Sequence, residues 1–254
     1  MKTLSFVSIL LIVTAAASEA ATVTGRVQVA GRPRQADVVT IVYAEPLDGA
    51  SVPQGTFTLS QRDKTFSPHI LPVSMGSTVQ FPNDDLFFHN VFSLSGPNPF
   101  DLGLYRAGTS QSRSFKTPAI YRIFCNIHPQ MTAIVLVLPT SYFTRVDASG
   151  SYRIELPAGR YRITAWSERS QPSSANVTVG GDPLAAGELR LDESQFVVVG
   201  HKNKFGLDYV SIAYDPLRDK KPRYGRERSF RTRNWPVPAA SSEPRESCRR
   251  ARCS

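Results

Sequence analysis

The stretch Ala119-Ile120-Tyr121-Arg122-Ile123-Phe124-Cys125-Asn126-Ile127-His128-Pro129-Gln130-Met131-Thr132-Ala133-Ile134-Val135-Leu136-Val137 decides the fold. Its first seven residues alternate with a strand's period of two, which places Tyr121, Ile123 and Cys125 on one face. Beyond the break at Asn126–Gln130, Met131, Ala133, Val135 and Val137 share one parity and form a second apolar row. The pattern predicts two strands joined by a short loop, with a sulfur atom at each inward-facing end and His128 between them. Upstream, Phe87-Phe88-His89-Asn90-Val91-Phe92 has the same period and puts Phe87, His89 and Val91 on one face.

His89, Cys125, His128 and Met131 together form the donor set of a trigonal His₂Cys copper site with a weak axial thioether. Soft sulfur favours Cu(I) and imidazole suits Cu(II), so one ion in a compromise geometry can change oxidation state with little rearrangement. Taken singly, Cys125 reads as a small buried hydrophobe, His89 as a core histidine and Met131 as core filler. Their order, spacing and convergence on strand ends favour the metal. Zinc more typically gathers further cysteines, histidines or carboxylates than a thioether.

The segment resembles the cupredoxins, the small blue copper proteins, and its Cys-x₂-His-x₂-Met loop is similar to that of the amicyanin-like members. Phe100-Asp101-Leu102-Gly103-Leu104-Tyr105 and Phe124-Cys125-Asn126-Ile127-His128-Pro129 resemble plastocyanin-like proteins of the methylamine-utilization type. The resemblance covers residues 51–142. It implies a Greek-key sandwich, one-electron transfer by a single copper ion, and a supporting role for Asn90, which in that family steadies the cysteine loop by hydrogen bonding.

The flanks read as a second, smaller β-sandwich split by the first. Thr22-Val23-Thr24-Gly25-Arg26-Val27-Gln28-Val29 and Asp37-Val38-Val39-Thr40-Ile41-Val42-Tyr43 are strands that cannot bury a core alone. Their expected partners, Ser151–Ile154 and Tyr161–Trp166, follow the turns Asp147-Ala148-Ser149-Gly150 and Pro157-Ala158-Gly159-Arg160. This pattern resembles the regulatory-like sandwich of carboxypeptidases. The expected organisation is all-β: residues 21–50 and 143–195 form the split sandwich, 51–142 the copper domain, and 196–254 a basic, mostly disordered tail. Residues 93–112, rich in glycine, proline and serine, read as a long loop walling one side of the site.

Met1-Lys2 and the apolar run from Leu4 to Ala17, followed by Ser18-Glu19-Ala20, read as a secretory signal over 1–20. Export to the periplasm or beyond is expected, with no membrane span once processed. The chain has three cysteines, so Cys248 and Cys253 are left over and could pair in an oxidising compartment. From His201 onward there are fourteen basic and six acidic residues, an excess of eight in a chain whose net charge is +9. Such a tail is either solvated and inert or an arm for an acidic protein or anionic lipid. Nucleic acid is not an expected partner of an exported chain.

An electron carrier working with a redox protein partner is the leading expectation. Copper delivery or storage and a metal-free binding module are the alternatives. Multicopper catalysis needs many more imidazoles than the four this chain has, so an enzyme is not expected. Of the other two histidines, His69 follows a proline and His201 opens the tail, and both read as structural or exposed.

Overall fold

The computed structural model describes residues 20–31, 38–49, 51–198 and 200–209, all within one compact unit. The expected leader as far as residue 19, the tail beyond 209 and the expected pairing of Cys248 with Cys253 lie outside the described residues. Seventeen strands and no helix occur among the described residues. They are β1 (Ala21–Ala30), β2 (Thr40–Pro46), β3 (Thr56–Thr58), β4 (Ser60–Arg62), β5 (Thr65–Ser67) and β6 (Ile70–Ser74). Next come β7 (Thr78–Pro82), β8 (His89–Ser93), β9 (Phe100–Tyr105), β10 (Ser110–Ser114), β11 (Ala119–Phe124) and β12 (Thr132–Leu138). The last are β13 (Phe143–Arg145), β14 (Ser151–Leu156), β15 (Gly159–Ser167), β16 (Ser173–Val179) and β17 (Leu184–Asp192).

Strands from the two ends of the sequence make one body. Its sheets are β14-β1-β17 and β13-β2-β15-β16. They close on Val23, Val27, Val42, Ala44, Ile154, Leu156, Tyr161, Ile163, Leu189 and Leu191. Strands β3 to β12 make the other, with sheets β6-β12-β11-β8-β9 and β10-β7-β3 and the short hairpin β4-β5. Its core holds Phe66, Phe81, Val91, Phe115, Tyr121, Ile123, Cys125, Met131, Val135 and Val137.

A third cluster joins them. Ile134, Leu136 and Leu138 of β12 and Ile70 of β6 meet Ile41 of β2 and Trp166 of β15. The four sheets therefore stack as successive layers with an apolar seam between each pair. Strand β12 lies at the centre, with Ala133, Val135 and Val137 packed into the inner core and Ile134, Leu136 and Leu138 into the seam. That double burial explains why residues 133–138 are a continuous apolar run rather than a strict alternation. Each large aliphatic chain hidden there contributes about 1.5–3 kcal/mol relative to an exposed one. Strand β8 is likewise buried along its whole length, which makes it a rigid support for His89.

Three expectations change. Residues 93–112 are not one loop: they contain β9, which pairs with β8 at the sheet edge, and β10, which pairs with β7. Phe87 does not share the buried face of His89, because it precedes β8 and is 52% exposed. The packed chain also runs past the tail boundary at 196, since residues 200–209 lie against the loop after β11.

Candidate metal centre

Cys125 directly follows β11 and Met131 directly precedes β12, so the hairpin these strands form brings both sulfur-bearing residues to one end of the inner core. Two backbone bonds draw the intervening loop tight: the Cys125 amide donates to the Met131 carbonyl (3.3 Å) and the Met131 amide to the His128 carbonyl (3.0 Å). Strand β8 pairs with β11 through Phe92 opposite Phe124, placing His89 beside the same end. Cys125, Met131 and His89 are fully buried, and His128 is partly exposed.

Three donors converge. His89 Nδ1 and His128 Nδ1 lie 3.1 Å apart, and Cys125 Sγ lies 3.8 Å and 3.6 Å from them. This is the one group of histidine, cysteine and carboxylate side chains close enough to share an ion among the described residues. Met131 is buried in the same core cluster as Cys125.

The other edge of His89 explains why its Nδ1 faces the centre. Its Nε2 lies 2.7 Å from Asp85 Oδ2. A carboxylate accepts only, so Nε2 carries the proton and Nδ1 presents its lone pair to the centre. Asp85 is in turn fixed by two backbone amides, Asp63 N–H to Oδ1 at 2.6 Å and Lys64 N–H to Oδ2 at 2.9 Å. Asp63 and Lys64 form the two-residue turn between β4 and β5, both in the left-handed region at φ 52° and 54°. That is the turn a tight hairpin needs, and its adjacent N–H groups make a small anion-binding concavity. Burial pushes the Asp85 carboxyl up, but those amides and His89 outweigh it, and the acid is held below its ordinary range. Burial, reinforced by the positive charge of Lys64, pushes His128 down from the usual histidine value. A neutral imidazole with a free lone pair is the form a metal requires.

Asn90 sits beside the centre but does not tie down the cysteine loop as the resemblance implies. Its amide donates to Asp101 Oδ1 (2.6 Å) and the Gly103 carbonyl (2.8 Å) of β9, and its own Oδ1 is buried with no partner among the described residues. Asn90 therefore braces β8 against β9. The loop is held instead by residues outside the expected set. His201 stacks on Phe124 (centroids 4.1 Å, planes at 20°), and its Nε2 lies 2.6 Å from the Pro129 carbonyl. Tyr209 donates its hydroxyl to the Cys125 carbonyl at 2.8 Å. His69, outside the donor cluster, lies 3.2 Å from the Thr132 carbonyl through Nδ1 and pairs with Glu168 across the junction of the two bodies. Asp85 could have been suspected from its place four residues before His89; nothing local marks His201 or Tyr209.

No family model and no curated protein sequence matches the chain. Among solved structures, it is similar over 33% of its length to a copper-containing nitrite reductase from Thermus scotoductus SA-01 (29% identity, TM-score 0.32), and spans 22% of that protein. It is similar over 33% of its length to amicyanin from Paracoccus versutus (21% identity, TM-score 0.31, 81% of that chain). A purple cupredoxin from Nitrosopumilus maritimus matches over 30% (26% identity, TM-score 0.28, 84% of that chain). These structural neighbours are cupredoxins or contain copper, and each likeness is confined to about a third of the chain.

Proposed function

We propose that the protein holds one copper ion through His89, Cys125 and His128, with Met131 as a weak axial donor, and carries electrons singly between redox partners. The observation that carries this reading is the convergence of two imidazole nitrogens and a cysteine sulfur at 3.1–3.8 Å at one end of the inner core. When bound, copper would supply a reversible one-electron couple, softened by the thiolate. The remaining work falls to the chain. Asp85 keeps the Nε2 proton of His89 and aims Nδ1. The two loop bonds fix where Cys125, His128 and Met131 stand. The inner core excludes water from the sulfur atoms. A site assembled on buried strand ends changes shape little between oxidation states, which keeps electron transfer fast.

His128 is the partly exposed member and serves as the portal. Ile127 and Pro129 beside it, with Leu86, Phe87 and Phe88 ahead of His89, offer exposed apolar surface for a partner. Lys64, 5.0 Å over the Phe87 ring, adds positive charge there. Carrier rather than catalyst, export to the periplasm or beyond, and a carboxypeptidase-regulatory-like identity for the outer body all belong to this proposal. Delivery or storage would call for an exchangeable cysteine, and the complete burial of Cys125 opposes it.

The test is a visible spectrum of the Cu(II)-loaded protein. An intense blue thiolate band is expected in the wild type and should vanish in Cys125→Ser with the β-fold retained. A band that survives Cys125→Ser would mean a different ligand set and overturn the reading.

A further inference from the structure

Residues 201–209 are organised before they touch anything else. The Asn203 side chain accepts from the Phe205 and Leu207 amides, the Asn203 amide donates to the Leu207 carbonyl, and the Gly206 amide donates to the Asn203 carbonyl. Gly206 takes φ 75°, which the turn requires and a side chain would resist. Lys202 closes the turn on Asp208 at 2.7 Å. This knot brings the rings of His201 and Tyr209 edge to face, 5.1 Å apart.

Its outward contacts fall on the ligand loop and its supports. Tyr209 donates to the Cys125 carbonyl, the Lys204 amide to Asn126 Oδ1 (3.0 Å), and His201 Nε2 to the Pro129 carbonyl. The Lys204 ammonium reaches Asp101 at 2.6 Å, and Asp101 also holds Asn90, the neighbour of His89. Within the loop, the His128 and Met131 carbonyls are satisfied by the loop's own amides. Tyr209 and His201 satisfy two further carbonyls of the loop, those of Cys125 and Pro129.

We propose that His201–Tyr209 is a clamp holding the loop Cys125–Met131 in its metal-ready shape before any ion arrives, with Tyr209 and His201 as positioning residues acting through the Cys125 and Pro129 carbonyls. The clamp rests on the proposed metal centre for its purpose, but its physical claim concerns the loop alone. A seven-residue loop tied only by its own two bonds samples many arrangements, each of which separates the donors. Fixing it from outside removes that entropy in advance of binding. The clamp also covers the Phe124 side of the loop, leaving approach to the centre from the side of His128.

Amide hydrogen exchange on the copper-free full chain tests this directly. Tyr209→Phe removes one hydroxyl, and His201→Phe keeps a ring on Phe124 while losing the bond to Pro129. Each should speed exchange of the Cys125 and Met131 amides roughly fivefold, as loss of one hydrogen bond allows, with β12 and the outer body unchanged. Copper release from the loaded variants to a chelator should accelerate by a similar factor. Unchanged loop exchange in both variants overturns the clamp. Faster exchange spread evenly over both bodies also overturns it, because the segment would then be a general support. A loaded wild type without a blue band would sink the electron-carrier reading while leaving the loop measurement to stand on its own.

Discussion

His89 is gripped from both sides of its ring, by the centre at Nδ1 and by Asp85 at Nε2, and the second grip decides the first. Asp85→Asn keeps the shape but offers a neutral carbonyl where a charge accepted before. Its amide nitrogen can also turn toward the ring and select the wrong tautomer. Copper affinity should fall by about tenfold or more, the usual cost of losing a ligand's orienting partner. A competition titration against a chelator measures it, and an unchanged affinity would reduce Asp85 to a buried acid that happens to lie near. His89, Cys125, His128 and Met131 are legible in the sequence because their relations are local: a two-residue period and a seven-residue loop. Asp85 is not, because its carboxylate is set by amides of Asp63 and Lys64 in a turn twenty or so residues upstream, in a backbone conformation no side chain announces. His201 and Tyr209 are hidden for a similar reason. Their partners are carbonyls, which every residue has.

Strands are where composition and packing part company. Thr132–Leu138 reads as a strand with one buried face, and becomes a strand with two only because the outer body lies against Ile134, Leu136 and Leu138. Strand β9 is hidden in the sequence by Gly103 and the glycines, prolines and serines on either side of it, and it pairs with β8 at the sheet edge. The junction between the bodies carries an ion pair, His69 to Glu168 at 3.1 Å, with side chains 43% and 18% exposed. The Glu168 partner raises His69, and His69 lowers Glu168 against the cost of burial. A raised histidine stabilises fully below its ordinary 6.5 and loses that contribution as pH climbs through the folded value. A lowered glutamate stabilises above its ordinary 4.5 and loses that contribution as pH drops through its folded value. The pair therefore works best between those two ordinary values. Screening at such exposure limits it to about 1 kcal/mol or less. Glu168→Gln should lower the melting temperature at pH 5.5 and do so much less at pH 9. An equal deficit at both would show the pair to be inert.

At the scale of the molecule, charge and structure are unevenly shared. The excess of positive charge lies from His201 onward, mostly beyond the described residues. Deleting residues 215–254 leaves the centre, the clamp and the seam intact, so colour and melting temperature should hold. Association with an acidic protein or with anionic vesicles at low ionic strength should weaken, and its salt dependence should flatten. Equal binding by the full and shortened chains would make the tail a bystander.

The order of strands carries one more consequence, for a chain still being made. Val23 pairs with Leu184, so β1 must wait for nearly the whole sequence before its parallel neighbour exists. Yet Phe143 stands opposite Tyr43, which means that the inserted body begins and ends at adjacent strands. Once that body has folded, the two halves of the outer one meet as though joined by a short link, and the entropy of closing a long loop no longer stands in the way. The inner core is thus a tether maker for the outer one. A nascent chain that mispairs around β11 and β12 loses the proposed copper ligands and, with them, the means of bringing its own two ends together.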